Sequence, residues 1–177
     1  MGKNIVILSG SPRKQGNTAQ LIGAFQEGAY AAGNLVQVFS VAHKNIQPCI
    51  GCGYCIESPG ECSLKDDMAE VLEALHAADV VVWASPVYYF SVTAQLKAAI
   101  DRTYPLVNER ERKAALLLTC ADESADTAEG ALAIYKKTID YYNWHDAGIV
   151  IATGVEDVGD ICGHEALVLA RVLGEEI

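Results

Sequence analysis

Five short apolar runs recur along this chain, each followed by a stretch whose apolar residues step by three and four. The runs are Ile5-Val6-Ile7-Leu8, Leu35 to Phe39, Val80 to Ala84, Ala114 to Thr119 and Ala147 to Thr153. Continuous apolar runs of this length read as strands buried on both faces. The intervening stripes, Ile22-Phe25-Ala29, Val71-Leu72-Leu75, Leu96-Ile100-Tyr104, Leu132-Tyr135-Ile139-Tyr142 and Ala166 to Leu173, have helical spacing. Asn17 or Thr18 can cap the first helix, Gly33-Asn34 ends it, Asp66-Asp67 opens the next and Pro105 stops the third. Strand-helix alternation predicts an α/β fold with a parallel sheet and helices on both faces. With 177 residues and no repeat, low-complexity tract or linker, residues 1–177 read as one domain.

Charge narrows the partners. Thirteen Lys and Arg stand against 23 Asp and Glu, a formal charge of -10. Such a chain repels phosphate backbones and anionic membrane surfaces, so neither nucleic acid nor membrane is an expected partner. No apolar run approaches the roughly 20 residues of a spanning helix, and the apolar part of the amino terminus is too short for a signal peptide. The expected compartment is the cytoplasm.

Ligands of open parallel sheets bind outside the carboxyl ends of the strands. The informative segments are therefore Ser9 to Thr18, Ser85 to Val92, Thr119 to Asp126, and a long cysteine-rich loop at about 41–65. The first holds Ser9, Ser11, Arg13, Asn17 and Thr18 between a strand and a helix start. Free N–H groups, hydroxyls and a guanidinium there suit an anion. Asn17 follows Gly16 where a Walker A loop needs lysine, so a phosphate monoester is the better match. Pro86-Val87-Tyr88-Tyr89-Phe90 forms an apolar, aromatic wall suited to a flat ring. Together the two loops point to flavin mononucleotide (FMN). The bland alternatives are turn and capping residues in the first loop and a subunit contact in the second.

The loop cysteines follow the spacing Cys49-x2-Cys52-x2-Cys55-x6-Cys62, with Gly51, Gly53 and Gly60 interspersed. Three thiolates two residues apart can wrap one face of an iron-sulfur cluster and a fourth can close it. Zinc, a redox dithiol, or free thiols that only shape the site stay open. Cys120 and Cys162 are isolated and read by default as buried, small apolar residues. His43, His76, His145 and His164 show no ligand spacing, no serine sits in a nucleophile elbow, and no catalytic residue is assigned.

Gly10-Ser11-Pro12-Arg13 with Gly16-Asn17-Thr18, then Ser85 to Phe90, then Leu96-Lys97 with Ile100-Asp101-Arg102, resemble the NADPH-dependent FMN reductases of flavodoxin-like fold. The cysteine loop is similar to that of their iron-sulfur flavoprotein branch. The resemblance implies a five-stranded sheet of order 2-1-3-4-5 in a three-layer sandwich. It implies FMN phosphate on Ser9, Ser11, Arg13, Asn17 and Thr18, the isoalloxazine against Pro86, Val87, Tyr88, Tyr89 and Phe90, and a third flavin loop with Thr119 and Asp122. It further implies a [4Fe-4S] cluster on Cys49, Cys52, Cys55 and Cys62, NAD(P)H as an electron donor, a small-molecule or protein redox partner, and a homodimer or homotetramer. Lys97, Asp101 and Arg102 read as structural, an ion pair on a helix. The expected function is an FMN-dependent oxidoreductase passing electrons between flavin and cluster. An NAD(P)H-dependent FMN or quinone reductase without a cluster, and a flavin-free zinc-stapled module, are the alternatives.

Overall fold

The computed structural model describes residues 2–177. Five parallel strands form one sheet: β1 (Asn4–Ser9), β2 (Leu35–Ser40), β3 (Val80–Pro86), β4 (Lys113–Thr119) and β5 (His145–Ala152). Their order is β2-β1-β3-β4-β5, as the resemblance implied. Six helices accompany them: α1 (Asn17–Ala31), α2 (Tyr54–Glu57), α3 (Met68–Ala77), α4 (Ala94–Asp101), α5 (Glu129–Tyr141) and α6 (Glu165–Glu176).

The three central strands are apolar on both faces because both faces are covered. Val6, Leu8, Val81, Trp83, Leu116 and Leu118 pack toward α3, α4 and α5. Ile5, Ile7, Val80, Val82, Ala115 and Leu117 pack toward α1 and α6. Strand order reverses between β1 and β3, whose carboxyl ends lie level, with Ser9 opposite Ala84. Helices leaving β1 and β3 go to opposite faces, which opens a crevice above that point.

On the α1 side, the two helices meet backbone to backbone. A Cβ at Gly28 would stand 1.9 Å from the Arg171 carbonyl oxygen, and one at Gly174 would stand 2.1 Å from that of Phe25. Only glycine permits so close a crossing.

Several local expectations are corrected. Gly16, not Asn17 or Thr18, is the N-cap of α1. Asp66-Asp67 opens α3 as expected: Asp67 is its N-cap, and Asp66 Oδ1 accepts from the Met68 amide at 3.1 Å. Tyr104 lies beyond α4 in a 3-10 turn with Pro105, which cannot continue a helix. Cys162 is exposed, in the loop before α6, whereas Cys120 is buried as expected. Among the described residues no helix is long and apolar enough to cross a membrane.

Candidate functional site

Helix α1 starts without a side-chain cap. The first amide N–H groups of any helix have no intrahelical acceptor, so those of Asn17 and Thr18 carry partial positive charge and seek an anion. They open onto a cleft of about 280 Å³ lined by Ser11, Arg13, Pro86, Val87, Tyr88 and Thr119, among others. The residues that would meet a phosphate and those that would meet a ring therefore face one space.

The sequence-selected residues divide as follows. Ser11, Arg13, Asn17, Thr18, Pro86, Val87, Tyr88 and Thr119 line the cleft. Ser9 is buried at the end of β1, beneath it. Tyr89 and Phe90 form the tip of a tight turn closed by Tyr88 and Ser91, whose amides and carbonyls exchange hydrogen bonds at 2.9 and 3.1 Å. Both tip residues have positive φ, 47° and 64°, which non-glycine residues rarely adopt. The turn points them outward; Tyr89 is 98% exposed. Asp122 is exposed and accepts from the Ser124 amide, bracing its own loop.

The segment after β5 was not foreseen. Val155 and Glu156 line the cleft, and so does Ala121. Arg13 donates one guanidinium N–H to the Glu156 carbonyl at 2.7 Å. The Asn17 amide group donates to the carbonyls of Val155 and Asp157, and its oxygen accepts from the Gly159 amide. Asn17 thus holds the fourth wall of the cleft. The signal lay in Gly154, Gly159 and Gly163, all at positive φ, which mark a shaped loop.

The cysteine loop forms a second site. Cys49, Cys52, Cys55 and Cys62 line a common cleft of about 240 Å³ with Arg102 and Tyr104. Gly51 and Gly53, at φ 64° and 74°, turn the backbone around it. Cys52 shares a 3.2 Å hydrogen bond with Ser63, which holds its thiol below the ordinary value. Burial, and after it the charges of the other three thiols, push Cys55 up. Among the described residues no three His, Cys, Asp or Glu side chains converge on one ion. Lys97 and Asp101 form the expected i,i+4 pair at 2.6 Å. Arg102 does not join it; it is buried and reaches into the cysteine loop.

Residues 3–152 match the family described as NADPH-dependent FMN reductase. The chain is 40% identical over 102 residues to an iron-sulfur flavoprotein of Methanocaldococcus jannaschii, covering 58% of this chain and 52% of that protein. It is 43% identical over 96 residues to one of Archaeoglobus fulgidus, covering 54% and 43%. The chain thus spans about half the length of these curated relatives. An NAD(P)H:quinone oxidoreductase from Methanothermobacter marburgensis superimposes with a TM-score of 0.78 at 21% identity, covering 99% of this chain and 96% of that one, a likeness of fold. The family match runs from before β1 to the end of β5 and takes in every strand, the first-loop and third-strand walls of the cleft and the cysteine loop; the chain belongs to the NADPH-dependent FMN reductase family.

Proposed function

We propose that this chain is an FMN-dependent oxidoreductase that also holds an iron-sulfur cluster on Cys49, Cys52, Cys55 and Cys62. The observation that carries the flavin assignment is the uncapped start of α1 facing the Pro86-Val87-Tyr88 wall across one cleft. The amides of Asn17 and Thr18, the Ser11 hydroxyl and the free N–H groups of Arg13 would hold the phosphate. Arg13 uses one of five donors on Glu156 and keeps the rest. Pro86, Val87 and Tyr88 would cover one side of the ring and exclude water, while Thr18 and Thr119, bonded at 2.8 Å, form the floor. Bound FMN supplies hydride and single-electron chemistry at its ring.

The donor set of the cysteine loop fits a cluster. Four thiols lining one cleft are the donor set of a multi-iron group, whose ligands attach at separate corners. The names of the archaeal relatives support the same reading. NAD(P)H as donor and a small molecule or redox protein as acceptor complete the proposal. The exposed Tyr89 and Phe90 at the rim would be covered by a second subunit of a homodimer or homotetramer.

The test is a count of FMN, iron and acid-labile sulfide on protein purified without oxygen, beside a variant with all four loop cysteines changed to serine. Flavin, iron and sulfide in the natural chain, with iron and sulfide lost together and flavin kept in the variant, is the expected result. Flavin without iron after reconstitution would leave a nicotinamide-dependent flavin reductase. Failure to take up FMN would overturn the whole reading.

A further inference from the structure

One guanidinium ties the cysteine loop shut. Arg102, the residue after α4, is 2% exposed. Arginine has five N–H donors, and here all five find acceptors. Nε donates to Cys62 Sγ at 3.2 Å. Nη1 donates to the Gln47 carbonyl and to Asp66 Oδ2, both at 2.9 Å. Nη2 donates to the Leu64 carbonyl at 3.4 Å and to Asp66 Oδ1 at 3.1 Å. These acceptors lie on both sides of the cysteines in sequence, so one planar cation pins entry and exit of the loop.

The charge is fixed in place. Arginine stays protonated in folded proteins, and the Asp66 carboxylate grips this one with both oxygens, at 2.9 and 3.1 Å. Four donors go to oxygen and the fifth to sulfur. A neutral thiol is a weak acceptor, whereas a thiolate accepts a charge-assisted bond. A buried arginine aimed at Cys62 Sγ is therefore matched to an anionic sulfur. Arg102 also borders the cavities on both sides of Cys62.

We propose that Arg102 is a positioning residue for Cys62: it aims the sulfur into the cysteine cleft and supplies the positive charge that favours the reduced state of the cluster held there. This rests on the cluster reading above. Each electron taken from a reductant adds one negative charge to the thiolate-bound group, with no bond broken and no proton moved. A fixed cation at hydrogen-bond distance favours that added charge, and hydrogen bonds to sulfur are a known lever on cluster potential. Asp66 opposes it by partly neutralising the guanidinium, so the two residues should act with opposite sign.

The experiment is an anaerobic dithionite titration of the loaded natural protein, Arg102→Met, Arg102→Lys and Asp66→Asn, followed by electron paramagnetic resonance. FMN content serves as the check on folding. Arg102→Met is expected to lower the midpoint, shifting the oxidised-to-reduced ratio about tenfold at fixed potential, about 59 mV for one electron. Arg102→Lys should recover part of this, and Asp66→Asn should raise the midpoint. Unmoved midpoints, or shifts of the same sign in Arg102→Met and Asp66→Asn, would overturn the proposal. If Arg102→Met holds no iron, the opposed signs of Arg102→Lys and Asp66→Asn decide. A natural protein that binds FMN but no iron would instead overturn the cluster reading, and this inference with it.

Discussion

The Thr93 hydroxyl donates to the carbonyl of Gly10 at 2.8 Å, joining the first loop to the third-strand loop across 83 residues of sequence. The same oxygen caps α4 by accepting from the Leu96 amide, and the Thr93 amide donates to Ser85 Oγ. Two walls of the cleft proposed for flavin thus share one rigid corner. Thr93→Val keeps the shape but leaves the Gly10 carbonyl and the Leu96 amide without their partner. The expected loss is about 1–3 kcal/mol of stability, with weaker FMN binding. Denaturant midpoints and a flavin fluorescence titration measure both, and Thr93→Ser should restore most of each.

Gly130 sets the position of the aromatic turn. A Cβ there would stand 2.3 Å from the Phe90 carbonyl oxygen, a backbone atom that cannot swing aside. Gly130→Ala should push the turn off α5 and destabilise the protein by about 1–3 kcal/mol, with reduced flavin affinity. Gly23, inside α1 with nothing within 4 Å of a new Cβ, is the control. Gly23→Ala should stabilise by about 0.5–1 kcal/mol. Thermal melts of the two variants should move in opposite directions.

Asn17 joins the helix start to the 155–159 segment through three hydrogen bonds. Asn17→Ala should free that segment, raise its amide exchange with solvent, and weaken FMN binding about tenfold or more, since each orphaned buried group costs about 1–3 kcal/mol. Exchange confined to residues 154–163, with the sheet unchanged, is the expected signature.

Tyr135 gives a pH dependence with a definite sign. Its hydroxyl is buried and donates to Asp146 Oδ1 at 2.8 Å. Burial first, and then that carboxylate, push its ionisation above the ordinary value of 10.0. The unfolded chain loses the proton near that value while the folded chain keeps it. This stability is therefore fully present below about pH 10 and declines as pH rises further. Tyr142, pushed up to about 12, adds to the same slope. Tyr135→Phe should lower stability at neutral pH by about 1 kcal/mol and make the alkaline decline shallower without abolishing it. Urea denaturation at a series of alkaline pH values checks both.

The strands were legible because a central parallel strand is an unbroken apolar run, and Val80 to Ala84 can hardly be anything else. The loops followed from topology, which puts every strand's carboxyl end at one edge. Asn17 and Arg102 show where that reasoning stops. Asn17 was visible as a polar residue of the first loop and Arg102 as a charged residue of a helix, but their partners lie far away in sequence, and spacing alone holds no trace of them. Arg102 was read with Lys97 and Asp101 because helical neighbours are the contacts a sequence displays. Tyr89 and Phe90 extended an apolar run that the left-handed turn breaks, so the direction of their side chains was hidden. The segment after β5 escaped because its ties to Asn17 span 138 to 142 residues of sequence.

The glycine crossing of α1 and α6 bears on how the molecule is made. Helix α1 presents the anion site at its first turn, yet its other face rests on Gly174 and the main chain around Arg171. A nascent chain whose synthesis has not passed residue 165 therefore has α1 resting on the sheet alone, with the flank that α6 covers still open to the ribosome exit and to chaperones. That flank closes only once the segment carrying Arg171 and Gly174 has emerged.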